Sequence, residues 1–249
     1  MSFKTFVRRL INRLGYGICE HYHWCYDQEC FITIHHHDFM DEPRFKEAYA
    51  RASEMEGGEP PVHWRTHVAV WLAEQAFRLD GDFVECGVYN GFTNHVIMHY
   101  NDWNQQDRSF FMFDTFEGLV EHLLNDEERK IGRIKINEKL YSESVYEQAA
   151  ARLEEFDRVH LVRGAVPDTL NDVKIDRVAY LSLDMNCAGP EIAALRHFWP
   201  KLVAGGVVLL DDYAFRGFEP QLKAHNELAE ELGYSILSLP TGQGIILKP

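Results

Sequence analysis

The sequence predicts an α/β fold: a doubly wound, seven-stranded sheet whose last strand runs antiparallel, preceded by an N-terminal helical segment. Three observations carry that reading. Short apolar runs alternate with helix-period segments from residue 64 onward, the pattern of a mostly parallel sheet wrapped by helices. Four of those runs end in an acid, at the edge where open α/β sheets bind ligands. The final two runs, Tyr234 to Leu239 and Ile245 to Lys248, are separated only by Pro240-Thr241-Gly242-Gln243-Gly244, which is too short for a parallel crossover.

At the N-terminus, Phe3, Phe6, Val7, Leu10, Ile11 and Leu14 recur at helical spacing among Lys4, Arg8, Arg9 and Arg13. This is a basic amphipathic helix, expected to touch an anionic membrane surface peripherally, to serve as a homo-oligomer arm, or to pack on its own domain. Residues 15–62 are rich in aromatics and histidines, and residues 1–62 are expected to form a helical lid or oligomerisation segment ahead of a core domain over 63–249. Cys19, His21, His23, Cys25 and Cys30 could be drawn as a zinc site, but their spacing matches no standard metal pattern. Asp41-Glu42-Pro43 starts a short helix that runs through Ala52.

Val68, Trp71, Leu72, Ala76 and Leu79 then repeat at helical period up to Asp80-Gly81-Asp82. The stretch Phe83-Val84-Glu85-Cys86-Gly87-Val88-Tyr89-Asn90-Gly91-Phe92-Thr93-Asn94 follows and reads as a strand, a glycine turn and a helix start, capped by Thr93 or Asn94. Gly87 and Gly91 let the backbone turn sharply and come close to a small molecule. A carboxylate here, Glu85, would repel a pyrophosphate but suits a cationic or hydroxyl-bearing ligand such as S-adenosylmethionine; a tight βα turn with no ligand is the alternative.

Phe110 to Phe113 is a buried strand ending in Asp114, which lies 29 residues after Glu85. At the end of a neighbouring strand that acid can accept hydrogen bonds from both ribose hydroxyls of a nucleoside. The polar stretch after Leu119, to about residue 140, reads as a mobile insertion, and Ser142 to Glu155 as a helix. Val159 to Val162 is a strand closing on Arg163-Gly164-Ala165, and Val178 to Leu183 is a strand ending in Asp184. Pro190 to Leu202 is helical, Gly206 to Leu210 is a strand ending in Asp211-Asp212, and Phe218 to Leu232 is the last helix. Asp184, Asp211 and Asp212 could hold a hard cation such as Mg²⁺, or only cap helices and bind Lys or Arg.

Composition narrows the partners. A formal net charge of −14 argues against a nucleic-acid substrate, whose binding is mostly phosphate neutralisation, and favours a small molecule or sugar. No stretch resembles a transmembrane span or signal peptide, and five cysteines without a CxxC pair read as reduced thiols; both suggest a cytoplasmic address.

Phe83 to Gly91, Phe113-Asp114-Thr115-Phe116-Glu117-Gly118-Leu119, Asp168-Thr169-Leu170, Leu183-Asp184 and Gly205 to Tyr213 resemble, in order and spacing, the motifs of the macrocin O-methyltransferase family. The resemblance covers roughly residues 64–249 and extends to related methyltransferases of polysaccharide biosynthesis, through Leu183-Asp184-Met185-Asn186 and Leu239 to Gly244. It implies a Rossmann-like methyltransferase sheet, S-adenosylmethionine as cofactor, Mg²⁺ assistance, and a sugar hydroxyl of a glycan, sugar nucleotide or glycosylated natural product as acceptor. The cofactor-binding residues it implies are Glu85, Gly87, Tyr89, Gly91, Asp114, Thr115, Gly164 and Asp184. The metal ligands are Asp184, Asp211 and Asp212, and the catalytic residues Asp184 and Asp211. The resemblance supplies no proton acceptor; Asp184 or a nearby histidine, His95 or His225, is the candidate from the residues themselves. The family has a second acid and a tyrosine where this chain has Asn186 and Cys187. A catechol or small-phenol methyltransferase and a binding module without chemistry are the alternative readings.

Overall fold

The computed structural model describes residues 26–137 and 145–249. The basic helix expected near the N-terminus, and most of the zinc alternative, lie outside the described residues. The chain divides into two compact units between Asp38 and Phe39. In the first, β1 (Tyr26–Gln28) and β2 (Phe31–Thr33) pair antiparallel. Their two-residue turn holds Glu29 and Cys30 at φ of 46° and 57°, as tight hairpins require, and without a glycine there the sequence did not announce it.

The second unit runs α1 (Pro43–Ser53), α2 (His63–Ala76), β3 (Asp82–Cys86), α3 (Phe92–Tyr100), β4 (Phe110–Asp114), α4 (Asp126–Ile131), α5 (Arg133–Asn137) and α6 (Val145–Leu153). It continues with β5 (Val159–Arg163), β6 (Val178–Leu183), α7 (Ala188–Phe198), β7 (Leu202–Leu210), α8 (Glu219–Leu232), β8 (Leu237–Ser238) and β9 (Gly244–Leu247). The unit begins ahead of α1, which the sequence reading had assigned to the N-terminal segment. The reason is burial: Phe45, Ala48, Tyr49 and Ala52 on one face of α1 belong to the core of the second unit.

The seven strands lie in the order β5-β4-β3-β6-β7-β9-β8, parallel except for β9, which runs antiparallel to both its neighbours. Chain order reverses between β3 and β6, and this switch point is where such sheets open a crevice. Both faces of the sheet are covered, so its strands are apolar on both sides and the two-residue alternation sorts side chains between two cores. Phe83, Phe110, Met112, Tyr180, Val207 and Leu209 face the core under α1, α2, α3 and α6. Val84, Cys86, Phe113, Leu181, Val208 and Leu210 face the core under α7 and α8.

Two local expectations are corrected. Helix α3 is capped neither by Thr93 nor by Asn94: Gly91 holds the N-cap at φ 77°, and the Asn90 side chain accepts the Phe92 amide at 3.2 Å. The stretch from Leu119 to about residue 140, expected as a mobile insertion, contains α4 and α5, because Asn125 and Glu128 form a reciprocal capping box that starts α4.

Candidate active site

Parallel pairing of β3 with β4 and β6, and of β6 with β7, brings Glu85, Asp114, Asp184 and Asp211 to one edge of the sheet. Backbone bonds lock the strand ends together: Gly87 N to Phe113 O, Asp184 N to Cys86 O and Asp211 N to Leu183 O, at 2.8 to 3.0 Å. A cavity of about 460 Å³, counted to its open mouth, lies over β3, β4 and β6. Of the cofactor residues expected from sequence, Gly87, Asp114, Thr115, Gly164 and Asp184 line it; Glu85, Tyr89 and Gly91 do not.

Asp114 is first of all an anchor for the glycine turn. Its Oδ2 accepts the amides of Val88 at 2.6 Å and Tyr89 at 2.8 Å, and its Oδ1 accepts the Phe116 amide at 2.7 Å. Burial raises its pKa against the pull of those amides, which favour the carboxylate. Oδ1 also accepts the Thr115 hydroxyl at 3.5 Å, the longest of these four bonds and the one a ribose hydroxyl would replace. Tyr89 owes its place here to its backbone: its amide reaches Asp114, while its ring is 40% exposed.

The turn's glycines serve backbone geometry. A Cβ on Gly87 would sit 2.0 Å from the Asp184 carbonyl oxygen, and Gly87 holds φ at 93°. Gly91 packs on Leu153 and supplies the left-handed cap of α3. Beneath the turn Glu85 is buried, with the Asn94 side-chain amide as its hydrogen-bond partner and no cationic side chain against it among the described residues. Burial pushes its carboxyl up to about 8.

Asp184 faces the cavity with no side-chain hydrogen bond among the described residues. Burial, reinforced by Asp211 and Asp212, raises its pKa well above the usual carboxylate range.

The magnesium site expected on Asp184, Asp211 and Asp212 does not fit the arrangement found. Among the described residues, no three His, Cys, Asp or Glu side chains converge as an ion site needs. The cation against this edge is a guanidinium. Arg65, in the first turn of α2, donates through Nη2 to Asp212 Oδ1 at 2.9 Å, to the Asp211 carbonyl at 2.9 Å, and in a short contact to Asp211 Oδ2. Burial works against its charge, but Asp211, Asp212 and Asp184 together raise its pKa. Gln243 Nε2 adds a bond to Asp211 Oδ1 at 2.8 Å. Asp211, expected as a catalytic residue, therefore has both carboxylate oxygens engaged. Asp212 is pushed up to about 6, chiefly by burial and by Asp211.

Neither histidine lines the cavity. His95 pairs with Glu155 at 3.0 Å on the α3–α6 side, and the fully buried His225 pairs with Glu191 at 2.9 Å between α7 and α8. Of the three candidate proton acceptors, Asp184 alone lines the cavity. Sequence reasoning missed Arg65, Gln243, Glu191 and Glu128. Glu191 holds the Met185 amide at 3.1 Å and so fixes the loop after Asp184. The only advance signal for Gln243 was its place in the turn Pro240 to Gly244; for Arg65 there was none beyond a cation at a helix start.

The fold recurs in solved structures. The NovP O-methyltransferase superposes with a TM-score of 0.68 at 21% identity, covering 84% of this chain and 98% of that one. The calicheamicin methyltransferase CalS11 superposes with a TM-score of 0.57 at 19% identity, covering 89% and 96%. At such identities the likeness shows the fold. In sequence, the chain is 27% identical over 155 residues to mycinamicin III 3''-O-methyltransferase of Micromonospora griseorubida, covering 56% of this chain and 59% of that protein. It is 31% identical over 144 residues to the 8-demethyl-8-(2,3-dimethoxy-alpha-L-rhamnosyl)-tetracenomycin-C 4'-O-methyltransferase of Streptomyces olivaceus, covering 54% and 53%. The matched region thus spans little more than half the length of these relatives. The macrocin-O-methyltransferase (TylF) profile matches residues 62–233, from the start of α2 to the end of α8, and by that match the chain belongs to the macrocin-O-methyltransferase family.

Proposed function

We propose that the chain is an S-adenosylmethionine-dependent O-methyltransferase acting on a sugar hydroxyl of a glycan, sugar nucleotide or glycosylated natural product. The observation that carries this reading is Glu85, a buried acid without a cationic partner among the described residues, set under a glycine turn beside a cavity whose rim holds Asp114. A nucleoside carrying an amino-acid cation matches that pair of features. The tetracenomycin relative, an O-methyltransferase whose named substrate carries a rhamnosyl group, supports the acceptor class.

The residues present fit the cofactor. Gly87 and Gly164 keep side chains off the cavity floor, and a Cβ on Gly164 would lie 2.5 Å from Thr169 Cγ2. In this reading Asp114 Oδ1 and Thr115 hold the ribose, and Glu85 lies toward the cationic methionine end, with Tyr89 and Gly91 shaping the turn. Bound there, S-adenosylmethionine supplies an activated methyl group, whose transfer forms an O–C bond as the S–C bond breaks. Asp184, at the cavity and with no hydrogen bond to its carboxylate among the described residues, takes the proton of the acceptor hydroxyl. Arg65 and Asp211 fix the electrostatics beside it, and no step runs through a metal.

Titration calorimetry with S-adenosylhomocysteine tests the cofactor: micromolar binding that is lost in Asp114→Ala is expected. Transfer of labelled methyl from S-adenosylmethionine, screened over sugar nucleotides, glycosides and catechols, tests the acceptor. Absence of S-adenosylhomocysteine binding by folded protein overturns the assignment; turnover confined to catechols overturns the sugar class. No helix among the described residues is long and apolar enough to cross a membrane. The peripheral membrane and homo-oligomer roles of the N-terminal helix, and the cytoplasmic address, remain proposals of the sequence.

A further inference from the structure

We propose that Arg65 is a built-in cation that occupies the place of a divalent ion at the Asp211-Asp212 pair, so that this chain binds no metal there. The resemblance in the motifs pointed to an ion held by three acids. The structure offers the same acids with a different partner already in place.

Four features make the guanidinium a fixed part of the edge. Its Nη2 bridges Asp212 Oδ1, the Asp211 carbonyl and Asp211 Oδ2, while Nε lies 3.4 Å from Asp211 Oδ1, so both carboxylates face one planar group. The cluster is largely withdrawn from water: side-chain exposure is 18% for Arg65, 19% for Asp211 and 8% for Asp212. Gln243 closes it from the β8–β9 turn by donating to Asp211 Oδ1 at 2.8 Å and to the Arg65 carbonyl at 3.4 Å. The Gln243 amide is itself oriented, because Thr241 Oγ1 donates to its Oε1 at 2.9 Å. The Phe215 ring lies 5.7 Å from the guanidinium carbon.

An entering ion must expel Arg65 and leave a largely buried guanidinium without its carboxylates, the costly way of breaking such a pair. The sequence is consistent with that arrangement. Where the family has a second acid, this chain has Asn186, so the edge carries one negative charge fewer to attract a divalent ion. An ion held by three acids and coordinating two neighbouring acceptor oxygens demands a vicinal pair of hydroxyls. With Arg65 in its place that demand falls away, and a lone hydroxyl suffices as acceptor. This last step alone rests on the methyltransferase reading.

Mn²⁺, followed by loss of its free-ion electron paramagnetic resonance signal, reads the site on the full chain without any turnover. Wild type and Asp211→Asn are expected to bind Mn²⁺ equally weakly, through scattered surface acids only. Arg65→Met, which uncovers the carboxylates, is expected to gain one site about tenfold or more tighter. Adding Asp211→Asn to Arg65→Met should remove it, and Arg65→Lys, which keeps a cation, should not gain it. Arg65→Gln is the second uncovering variant should Arg65→Met not fold, as judged by circular dichroism and a thermal melt. A site in wild type that Asp211→Asn abolishes overturns the proposal. So does a folded Arg65→Met or Arg65→Gln that gains no site. Binding of S-adenosylhomocysteine, measured on the same samples, fails separately if the methyltransferase reading is the one at fault.

Discussion

Glu128 on α4 accepts the backbone amide of Ala188, the first residue of α7, at 2.7 Å across 60 residues of sequence. Its other oxygen accepts the Asn125 amide at 2.9 Å, and the side chain is fully buried. A carboxylate at a helix N-terminus is favoured by the helix dipole. Here it also ties the segment that carries Leu119, Val120 and Leu123, one wall of the cavity, to the far side of the site. Glu128→Ala is expected to leave the buried Ala188 amide and the part-buried Asn125 amide unpaired and to cost about 2–3 kcal/mol in urea unfolding. Weaker S-adenosylhomocysteine binding should accompany it, with Glu128→Gln recovering part of both. Unchanged stability and affinity in Glu128→Ala would remove Glu128 as a tether.

Glu85 predicts a pH dependence of stability with a definite sign. Its folded-state carboxyl is pushed up to about 8 from an ordinary value of 4.5. Between those values the unfolded chain is ionised at this position while the folded chain holds the proton. Stability is therefore lost as pH rises through that window, by roughly 3–5 kcal/mol for a shift of this size, and no further above it. Glu85→Gln keeps an acceptor for Asn94 and cannot ionise. Its urea midpoint should match wild type near pH 4.5 and exceed it at pH 8, with the gap opening in between. A gap that stays constant with pH is the contrary result.

The same proton couples to cofactor binding. A cationic group near Glu85 favours its carboxylate, so at pH 7 binding of S-adenosylhomocysteine, which carries the amino-acid cation, should release close to one proton. Calorimetry in buffers of different ionisation enthalpy reads that number directly. Affinity should rise with pH up to about 8 and then level off. Glu85→Gln should bind more weakly with no proton release; release that persists in this variant assigns it to another group.

Asp114→Asn separates the two tasks of that residue. The amide keeps one acceptor oxygen and presents an NH₂ donor in place of the other, so it cannot serve both the Val88 and Tyr89 amides and the Phe116 amide. The turn should loosen as well as the ribose contact, with a stability loss of about 2–3 kcal/mol alongside loss of S-adenosylhomocysteine binding. Full stability with binding lost would mean that Asp114 serves the ligand and not the turn.

The parallel core was legible because its central strands are buried on both faces and read as unbroken apolar runs, as Phe110 to Phe113 and Val178 to Leu183 do. Edge and capping details were not. The β1–β2 turn uses Glu29 and Cys30 at positive φ, where the usual signal is Asn-Gly. The capping box at Asn125 and Glu128 sits in a stretch polar enough to pass for a loop. The acids of the site were legible because strand ends are fixed by the strands themselves. Arg65 was not, because it arrives from α2, and nothing in a helix start tells which sheet edge it will meet.

Gly87 shows how a motif residue can be retained for a reason other than its ligand. The turn after β3 passes so close to the end of β6 that a Cβ on Gly87 would overlap the Asp184 carbonyl oxygen at 2.0 Å and crowd the Met185 amide at 3.0 Å. Both obstacles are backbone, held by the Asp184 N to Cys86 O bond at 2.8 Å and by the Glu191 carboxylate on the Met185 amide, so neither can yield like a side chain. Gly91 meets only the flexible Leu153 side chain, at 3.2 Å, with φ at 77°. Gly87→Ala is therefore expected to cost more than about 4 kcal/mol or to prevent folding, and Gly91→Ala about 1–2 kcal/mol from its left-handed backbone. Urea unfolding of the two variants side by side checks the order. Were Gly91→Ala the worse of the two, the demand on the turn would lie in its left-handed cap, and the approach of β3 to β6 would have room that these distances do not allow.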